Sequence, residues 1–148
     1  MQSLQLYTIG YEDRNIGDFI NRLQNFGIET LIDVREVPIS RKPGFSKGKL
    51  RESLETANIK YIHVKELGSP KDLRQKLYED KDYDYFFEEY RNYLNTKVKT
   101  VEDLYGYAIA NEACCLMCME REPIYCHRKI VAEKIKEVDG NGLKIKHI

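Results

Sequence analysis

Short apolar runs alternate along this chain with longer segments in which apolar residues recur every three or four positions. The run LQLYTI at 4–9 predicts a first strand, and Gly10 ends it. The segment 15–27 then places its apolar side chains on one helical face, with Asn15 as N-cap and Gly27 as the stop. Further strands are predicted around 31–34, from 59 to about 68, at 114–119 and at 143–148.

The segments between these strands have helical periodicity. Residues 49–58 predict a short helix, and 128–138 predict an amphipathic one after Cys126. Between about 70 and 112 the pattern is helical and rich in aromatic residues, which predicts two or three helices without an intervening strand. Ser69 followed by Pro70 is typical of a helix start.

Strands that alternate with helices favour right-handed crossovers and parallel pairing. We therefore predict an α/β fold, a three-layer α/β/α sandwich around a mostly parallel sheet of about five strands. The 148 residues suit a single domain, 1–148, with a helical excursion at about 70–112.

Charge and hydropathy narrow the class of protein. The 24 basic and 24 acidic side chains cancel, which argues against a general polyanion binder. No apolar run reaches the roughly 20 residues that span a bilayer, and the first residues lack a secretory pattern. We therefore expect a cytoplasmic protein with no membrane partner, in which cysteines are more often free, metal-bound or catalytic than bridged. The Lys- and Glu-rich composition also suits a thermophile, where cytosolic disulfides occur.

Polar and nucleophilic residues cluster after the predicted strands. Ligands of open α/β sheets bind beyond the carboxyl ends of the strands, so these residues are the candidate site. The candidates for catalysis are Cys126, His127, Glu120 and Asp33, and those for substrate binding are Tyr11, Arg35, Ser40, Arg41, Cys118 and Arg128.

All four cysteines lie in the segment CCLMCMEREPIYCHR at 114–128. Cys115 and Cys118 have C-x-x-C spacing, and Cys126 and His127 could complete a Cys₃His set. Residues three apart on a strand point to opposite faces, however, so we predict no metal site. A disulfide between Cys118 and Cys126 is geometrically possible and has no further support. Cys114 and Cys115 are interpreted as buried hydrophobes.

Cys126 is expected at or just before the start of the last long helix, where unpaired N–H groups stabilise a thiolate. The same position suits an anion gripped by Arg128. The alternative is a surface pair of Arg128 with Glu133 or Glu137.

Asp33 and Arg35 interrupt an apolar strand, and buried charges need a partner. They form either a buried pair that fixes a loop or an anion-binding arginine with its orienting acid. Glu120 is either a general base or a partner of Arg35 or Arg128, and such a partner would lower its pKa.

The loop 41–49 carries four basic residues around Phe45, which is typical of a solvated loop and also suits a lid or a nucleic-acid contact.

Several motifs together resemble the DUF488 family, small prokaryotic proteins of unassigned function. The motifs are YTIGY, LIDVREVPISR, GFSKGKL, IKYIHVKELGSP, CLMCMEREPIYCHR and the terminal KHI. The family pattern carries onto Asp33, Val34, Arg35, Ser40, Arg41, Leu67, Gly68, Cys118, Glu120, Cys126, His127 and Arg128. The resemblance implies a compact α/β fold with a polar site, and it implies no particular reaction.

The residues favour an enzyme that acts on a small anionic, phosphorylated or nucleotide-like substrate at the carboxyl edge of the sheet. In that hypothesis Cys126 is the nucleophile or a hydrogen-bond donor at the anion site, and His127 or Glu120 transfers the proton. The alternatives are a non-catalytic, nucleic-acid-associated module that uses the loop 41–49, and a cysteine–metal protein. No cofactor is predicted, and the oligomeric state stays open.

Overall fold

A computed structural model describes residues 4–111 and 113–148, which contain five parallel strands. The strands are β1 (Gln5–Gly10), β2 (Thr30–Asp33), β3 (Lys60–His63), β4 (Cys114–Cys118) and β5 (Lys144–His147). Their order across the sheet is β3-β2-β4-β1-β5, and every pair is parallel. The predicted fold class is confirmed.

Six helices in the described part of the chain cover the two faces of the sheet. They are α1 (Ile16–Asn25), α2 (Lys47–Thr56), α3 (Lys71–Asp80), α4 (Tyr83–Leu94), α5 (Val98–Ala110) and α6 (Arg128–Asp139). The apolar faces of α1 and α2 join one core, and those of α4, α5 and α6 join the other. The helical excursion thus consists of three helices, α3 to α5.

The central strand β4 is buried on both faces, and its side chains divide between the two cores. Cys115 and Met117 belong to the core with α1 and α2, whereas Cys114, Leu116 and Cys118 belong to the other. The expectation that Cys115 and Cys118 point to opposite faces is met. Burial raises the pKa of Cys114 to about 11 and raises that of Cys115 as well, so both are inert core thiols.

Element boundaries differ from the expectation in two places. The strand expected to run to about 68 ends at His63, and a 3₁₀ turn, Lys65–Leu67, follows it. Helix α3 has Pro70 rather than Ser69 as its N-cap residue, and no side chain caps it. The expected cap of α1 is present, since Asn15 Oδ1 accepts a 2.8 Å hydrogen bond from the Asp18 N–H.

None of the helices in 4–111 and 113–148 has the length and apolar character that crossing a bilayer requires.

Two glycines allow backbone segments to meet at the carboxyl edge of the sheet. A Cβ on Gly10 would overlap the carbonyl of Glu120, and one on Gly68 would overlap the backbone of Glu36. The end of β1 thus packs on the loop after β4, and the turn after β3 packs on the loop after β2. Both contacts bring separate loops to one edge.

Replacing Gly10 with alanine should lower the free energy of unfolding by about 1–3 kcal/mol, because the new methyl group meets rigid backbone. The matched control is Gly48→Ala on α2, where a Cβ has open space and alanine favours the helix. Urea unfolding of both variants measures the difference. Equal stability of Gly10→Ala and the wild type would contradict the close approach.

Candidate active site

A cleft of about 460 Å³ opens at the carboxyl edge of the sheet. Five of the predicted site residues line it, namely Tyr11, Arg35, Cys118, Glu120 and His127. The other five, Asp33, Ser40, Arg41, Cys126 and Arg128, do not. The structure therefore brings together residues that follow β1, β2 and β4, as the parallel topology requires.

Arg35 is held at the floor of the cleft by a two-pronged salt bridge to Asp33. Its Nε lies 2.9 Å from Asp33 Oδ1, and its Nη2 lies 2.8 Å from Oδ2. Asp33 also accepts hydrogen bonds from the Arg35 backbone N–H and from the Tyr61 hydroxyl, at 3.1 and 2.6 Å. With 0% exposure and four donors around it, Asp33 positions Arg35 rather than facing a ligand.

The rest of the Arg35 guanidinium is almost fully engaged. Nη1 donates to the Phe45 carbonyl at 2.8 Å and to the Tyr11 hydroxyl at 3.4 Å. Of the five guanidinium N–H groups, one on Nη2 has no protein acceptor in the described part of the chain. Burial lowers the pKa of Arg35, but the hydrogen bond and charge of Asp33 outweigh it and raise the pKa above the usual value. Arg35 thus offers a fixed, charged donor at the cleft.

Two histidines hold the loop that carries Arg35. His63 Nε2 and His127 Nε2 each lie 2.7 Å from a backbone carbonyl, of Arg35 and Val34 respectively. Since a carbonyl only accepts, each Nε2 carries the hydrogen. His63 is therefore a satisfied structural histidine. His127 is buried, at 8% exposure, and burial lowers its pKa to about 4.

Cys118 and Cys126 meet beside His127. Their Sγ atoms are in bonding contact and form a disulfide, and their Cα atoms lie 7.3 Å apart. Cys118 lines the cleft, whereas Cys126 lies behind it at 1% exposure. The predicted place of Cys126 just before helix α6 is correct, but its sulfur is not presented to a substrate. Its role as a nucleophile stays a prediction that this geometry does not favour.

These two cysteines and His127 are also the candidate ligands for a metal. Their ligand atoms all lie within 4.8 Å of one another, and all three residues are buried.

Glu120 stands at the cleft next to Cys118, with Oε2 3.6 Å from the Cys118 sulfur. Neither Arg35 nor Arg128 forms a salt bridge with its carboxylate, so the partner considered from the sequence is not found among residues 4–111 and 113–148. Burial is the main effect on Glu120 and raises its pKa, which is opposite to the effect expected of such a partner.

Arg128 has a structural position instead of the expected one at the anion site. It is 1% exposed, and its guanidinium donates to the carbonyls of Glu120 and Arg121 and to Thr8 Oγ1. The alternative surface pair with Glu133 or Glu137 is wrong, because the side chain points into the protein. Burial lowers the pKa of Arg128 to about 10, so it remains a cation at neutral pH.

The basic loop 41–49 lies outside the cleft. Arg41 is exposed, and Ser40 is held within the loop, where its N–H donates to Ser46 Oγ at 3.0 Å. Phe45 is fully buried, stacks on Tyr11 at 4.6 Å and meets Phe19 edge-on. The Phe45 ring therefore belongs to the core and is not available for a nucleic-acid contact, whereas a contact through the basic side chains of the loop stays a prediction.

One wall of the cleft comes from the helical excursion, which carried no functional expectation. Helices α3 and α4 and the turn between them supply Arg74, Leu77, Tyr78, Lys81, Tyr83 and Phe86. Tyr83 lies 5.0 Å from Tyr125, between ring centroids, so an aromatic pair closes this side. The sequence signal for this wall is the aromatic density of the predicted helical segment. Phe86 and Tyr90 of that segment are buried, whereas Tyr83 is only partly buried and lines the cleft.

The fold and the cleft define an α/β protein with a polar and aromatic site at the carboxyl edge of a parallel sheet. The chain matches the family model described as "Domain of unknown function DUF488" over residues 15–135, and it belongs to that family. No curated protein and no solved structure matched it in the same comparisons.

Replacing Asp33 with asparagine should lower the free energy of unfolding by about 3 kcal/mol or more, because Arg35 would remain buried without its counter-charge. The matched control is Asp103→Asn. This change breaks an ion pair with Lys99 whose side chains are 89% and 68% exposed, so we expect no measurable loss. Chemical denaturation measures both variants. Equal losses would show that the buried pair does not stabilise the fold.

Proposed function

We propose that this protein is an enzyme that acts on a small anionic, phosphorylated or nucleotide-like substrate bound in the cleft. The observation that carries the proposal is the Arg35 guanidinium, fixed by Asp33, with one N–H left over where it lines the cleft. A donor held in place before binding loses little entropy when it meets an anion.

Two further groups favour an anion at this position. Ser69 lines the cleft at 3% exposure, and its hydroxyl makes no hydrogen bond to the described residues. That hydroxyl is therefore a group that a ligand in the cleft could engage. Lys81 is exposed at the mouth and forms no ion pair within the described chain, whereas Arg74 is committed to Glu36 at 2.9 Å.

The aromatic wall favours a substrate with a flat ring. Tyr125 is 46% exposed and Tyr78 is 79% exposed, and both line the cleft with Tyr83. Partly exposed tyrosines next to a cationic group suit a nucleobase or similar ring, which stacks on such faces. An anion near Arg35 and a ring near Tyr125 together describe a nucleotide-like molecule.

Glu120 is the group placed for proton transfer in this proposal. Its carboxyl lies beside Cys118 and lines the cleft without a salt-bridge partner among the described residues. Cys126 would serve as nucleophile only after separation from Cys118, so we assign the acid–base role to Glu120 and leave the nucleophile unassigned.

The non-catalytic alternative has less support. A surface on the loop 41–49 that binds single-stranded nucleic acid would use an exposed aromatic side chain for base stacking, and Phe45 is in the core. Lys42 also donates from Nζ to the Tyr11 carbonyl at 3.0 Å, which engages part of the basic cluster. A loop-based binder would bind a DNA or RNA oligonucleotide with a steep salt dependence, and we expect no such binding.

Calorimetric titration with adenosine monophosphate, adenosine and inorganic phosphate tests the proposed site. Lys81→Ala should weaken binding of the two phosphate-bearing probes by about two- to fivefold, because an exposed charge is lost. Tyr125→Ala should weaken binding of adenosine monophosphate at least about fivefold and leave phosphate unchanged, because stacking is lost. Lys99→Ala is the matched control on α5, away from the cleft. Binding of none of the probes, or equal effects of Lys81→Ala and Lys99→Ala, would overturn the proposed site.

A second experiment tests catalysis separately from binding. For any phosphorylated probe that the wild type converts, followed by NMR, Glu120→Gln should slow turnover by about 10²- to 10⁴-fold with little change in affinity. Wild-type turnover by Glu120→Gln would remove Glu120 from the mechanism.

A further inference from the structure

We propose that Cys118, Cys126 and His127 form a binding site for a thiophilic divalent metal ion of the zinc type, with one coordination position open to the cleft. The site concerns the reduced protein, in which both sulfurs are available as thiolates. It goes beyond the proposed function, because metal binding here does not require the anionic substrate.

The three candidate ligand atoms lie close together, within 4.8 Å of one another. With Zn–S and Zn–N bonds of about 2.3 and 2.0 Å, a tetrahedral ion holds its ligands roughly 3.5–4 Å apart. The two sulfurs are in bonding contact in the disulfide, so they must move apart after reduction to reach this spacing. Rotation of the two cysteine side chains is the movement that separates them.

The backbone spacing of the two cysteines favours a metal between them. Their Cα atoms lie 7.3 Å apart, at the end of β4 and just before helix α6. Disulfides usually join Cα atoms that are about 4.4–6.8 Å apart. A bridge through an ion contains two metal–sulfur bonds in place of one S–S bond, and it spans this wider gap.

His127 is prepared as a ligand by its hydrogen bond. Its Nε2–H donates to the Val34 carbonyl at 2.7 Å, so Nδ1 is the nitrogen with a lone pair. Histidines that bind metals usually donate their other ring N–H to a carbonyl or carboxylate, which fixes both the tautomer and the ring. Val34 lies in the motif DVR directly after β2, so this contact orients His127 from a neighbouring strand.

Arg128 contacts a second ligand of the proposed metal site, Cys118. Its Nη1 lies 3.7 Å from Cys118 Sγ. No carboxylate in the described residues forms a salt bridge with this buried guanidinium. Two thiolates with a divalent ion are neutral in total, so metal binding adds no net charge beside this buried guanidinium, and the Cys118 sulfur can still accept a hydrogen bond from it.

The open position follows from which ligands reach the cleft. Cys118 and His127 line it and Cys126 lies behind, so an ion held by all three faces the cleft on its remaining side. Three protein ligands with a free fourth position are typical of catalytic rather than structural zinc. Such an ion supplies a bound water activated for attack, and Glu120 stands beside Cys118 at 3.6 Å.

The sequence argument against a metal site was that Cys115 and Cys118 point to opposite faces of the strand. It excludes Cys115 as a ligand and does not apply to the other three residues. This residue points to the other face of β4 and belongs to the other core. The other three members of the Cys₃His set considered from the sequence, Cys118, Cys126 and His127, are the ones that lie together.

Titration of the fully reduced protein with Co²⁺ under anaerobic conditions tests the site. We expect one equivalent to bind, with the d–d spectrum of a tetrahedral ion and a thiolate-to-metal charge-transfer band, and Zn²⁺ should displace it. Cys118→Ser, Cys126→Ser and His127→Ala should each weaken binding at least about tenfold, the lower limit for loss of even an outer-shell partner. The matched control, Cys115→Ala, should keep wild-type affinity and spectrum.

A measurement on the wild type covers the case in which a variant fails to fold. Zn²⁺ binding near neutral pH should release up to about two protons per ion, because two thiols become thiolates. Absence of the charge-transfer band and of proton release after complete reduction would overturn the proposal and leave the pair as a disulfide only. Tight cobalt binding that survives both Cys118→Ser and Cys126→Ser would overturn it as well. Neither result depends on nucleotide binding, so the two proposals fail separately.

Discussion

The buried ion pair of Asp33 and Arg35 is the interaction on which the site depends. Two charges removed from water are stable only with good geometry and further hydrogen bonds. Here the carboxylate also accepts from Tyr61 on β3, and the guanidinium donates to the Phe45 carbonyl in the loop before α2 and to Tyr11 after β1. One charge pair thus joins β2 to three other segments of the chain. The floor of the cleft is rigid because the cost of burying these charges is offset only in this arrangement.

The backbone around this pair is fixed by the histidines. His63 and His127 hold the consecutive carbonyls of Arg35 and Val34, one from β3 and one from the start of α6. The chain after β2 therefore leaves the sheet in one direction, and Arg35 turns back onto Asp33. The wall of the cleft differs, since Tyr78, Tyr125 and Lys81 are exposed and make few polar contacts. A fixed polar floor with an aromatic wall separates the position of an anion from that of a ring.

The succession of strands and helices along the chain, and the convergence of residues after β1, β2 and β4, could be predicted from the sequence, whereas the order of the strands across the sheet could not. Apolar periodicity reveals the strands, and parallel pairing directs their carboxyl ends to one edge. The buried pair of Asp33 and Arg35 was one of the two arrangements predicted from the sequence, because the two charges lie two residues apart in an apolar segment and each needs a partner. Periodicity does not show which face of α3 and α4 meets a cleft, so Tyr83 and Arg74 were missed. The surface partner suggested for Arg128 was wrong because helical spacing to Glu133 says nothing about carbonyls in an irregular loop.

The contact of Arg128 with those carbonyls also positions the two residues before it, Cys126 and His127. The carbonyls of Glu120 and Arg121 lie in the loop after β4, outside the strand. The buried Arg128 guanidinium donates hydrogen bonds to both of them. Its guanidinium also meets Thr8 on β1, so the loop is drawn over the edge of the sheet. Because Arg128 is the first residue of α6, this fixes the two residues before it, and Cys126 is placed against Cys118 while His127 reaches Val34. The three consecutive residues Cys126, His127 and Arg128 thus contact three different parts of the fold. Arg128 binds the loop after β4, His127 donates to the chain just after β2, and Cys126 forms the disulfide with Cys118. Loss of any one of the three would release the other two from the positions on which a site at this edge depends.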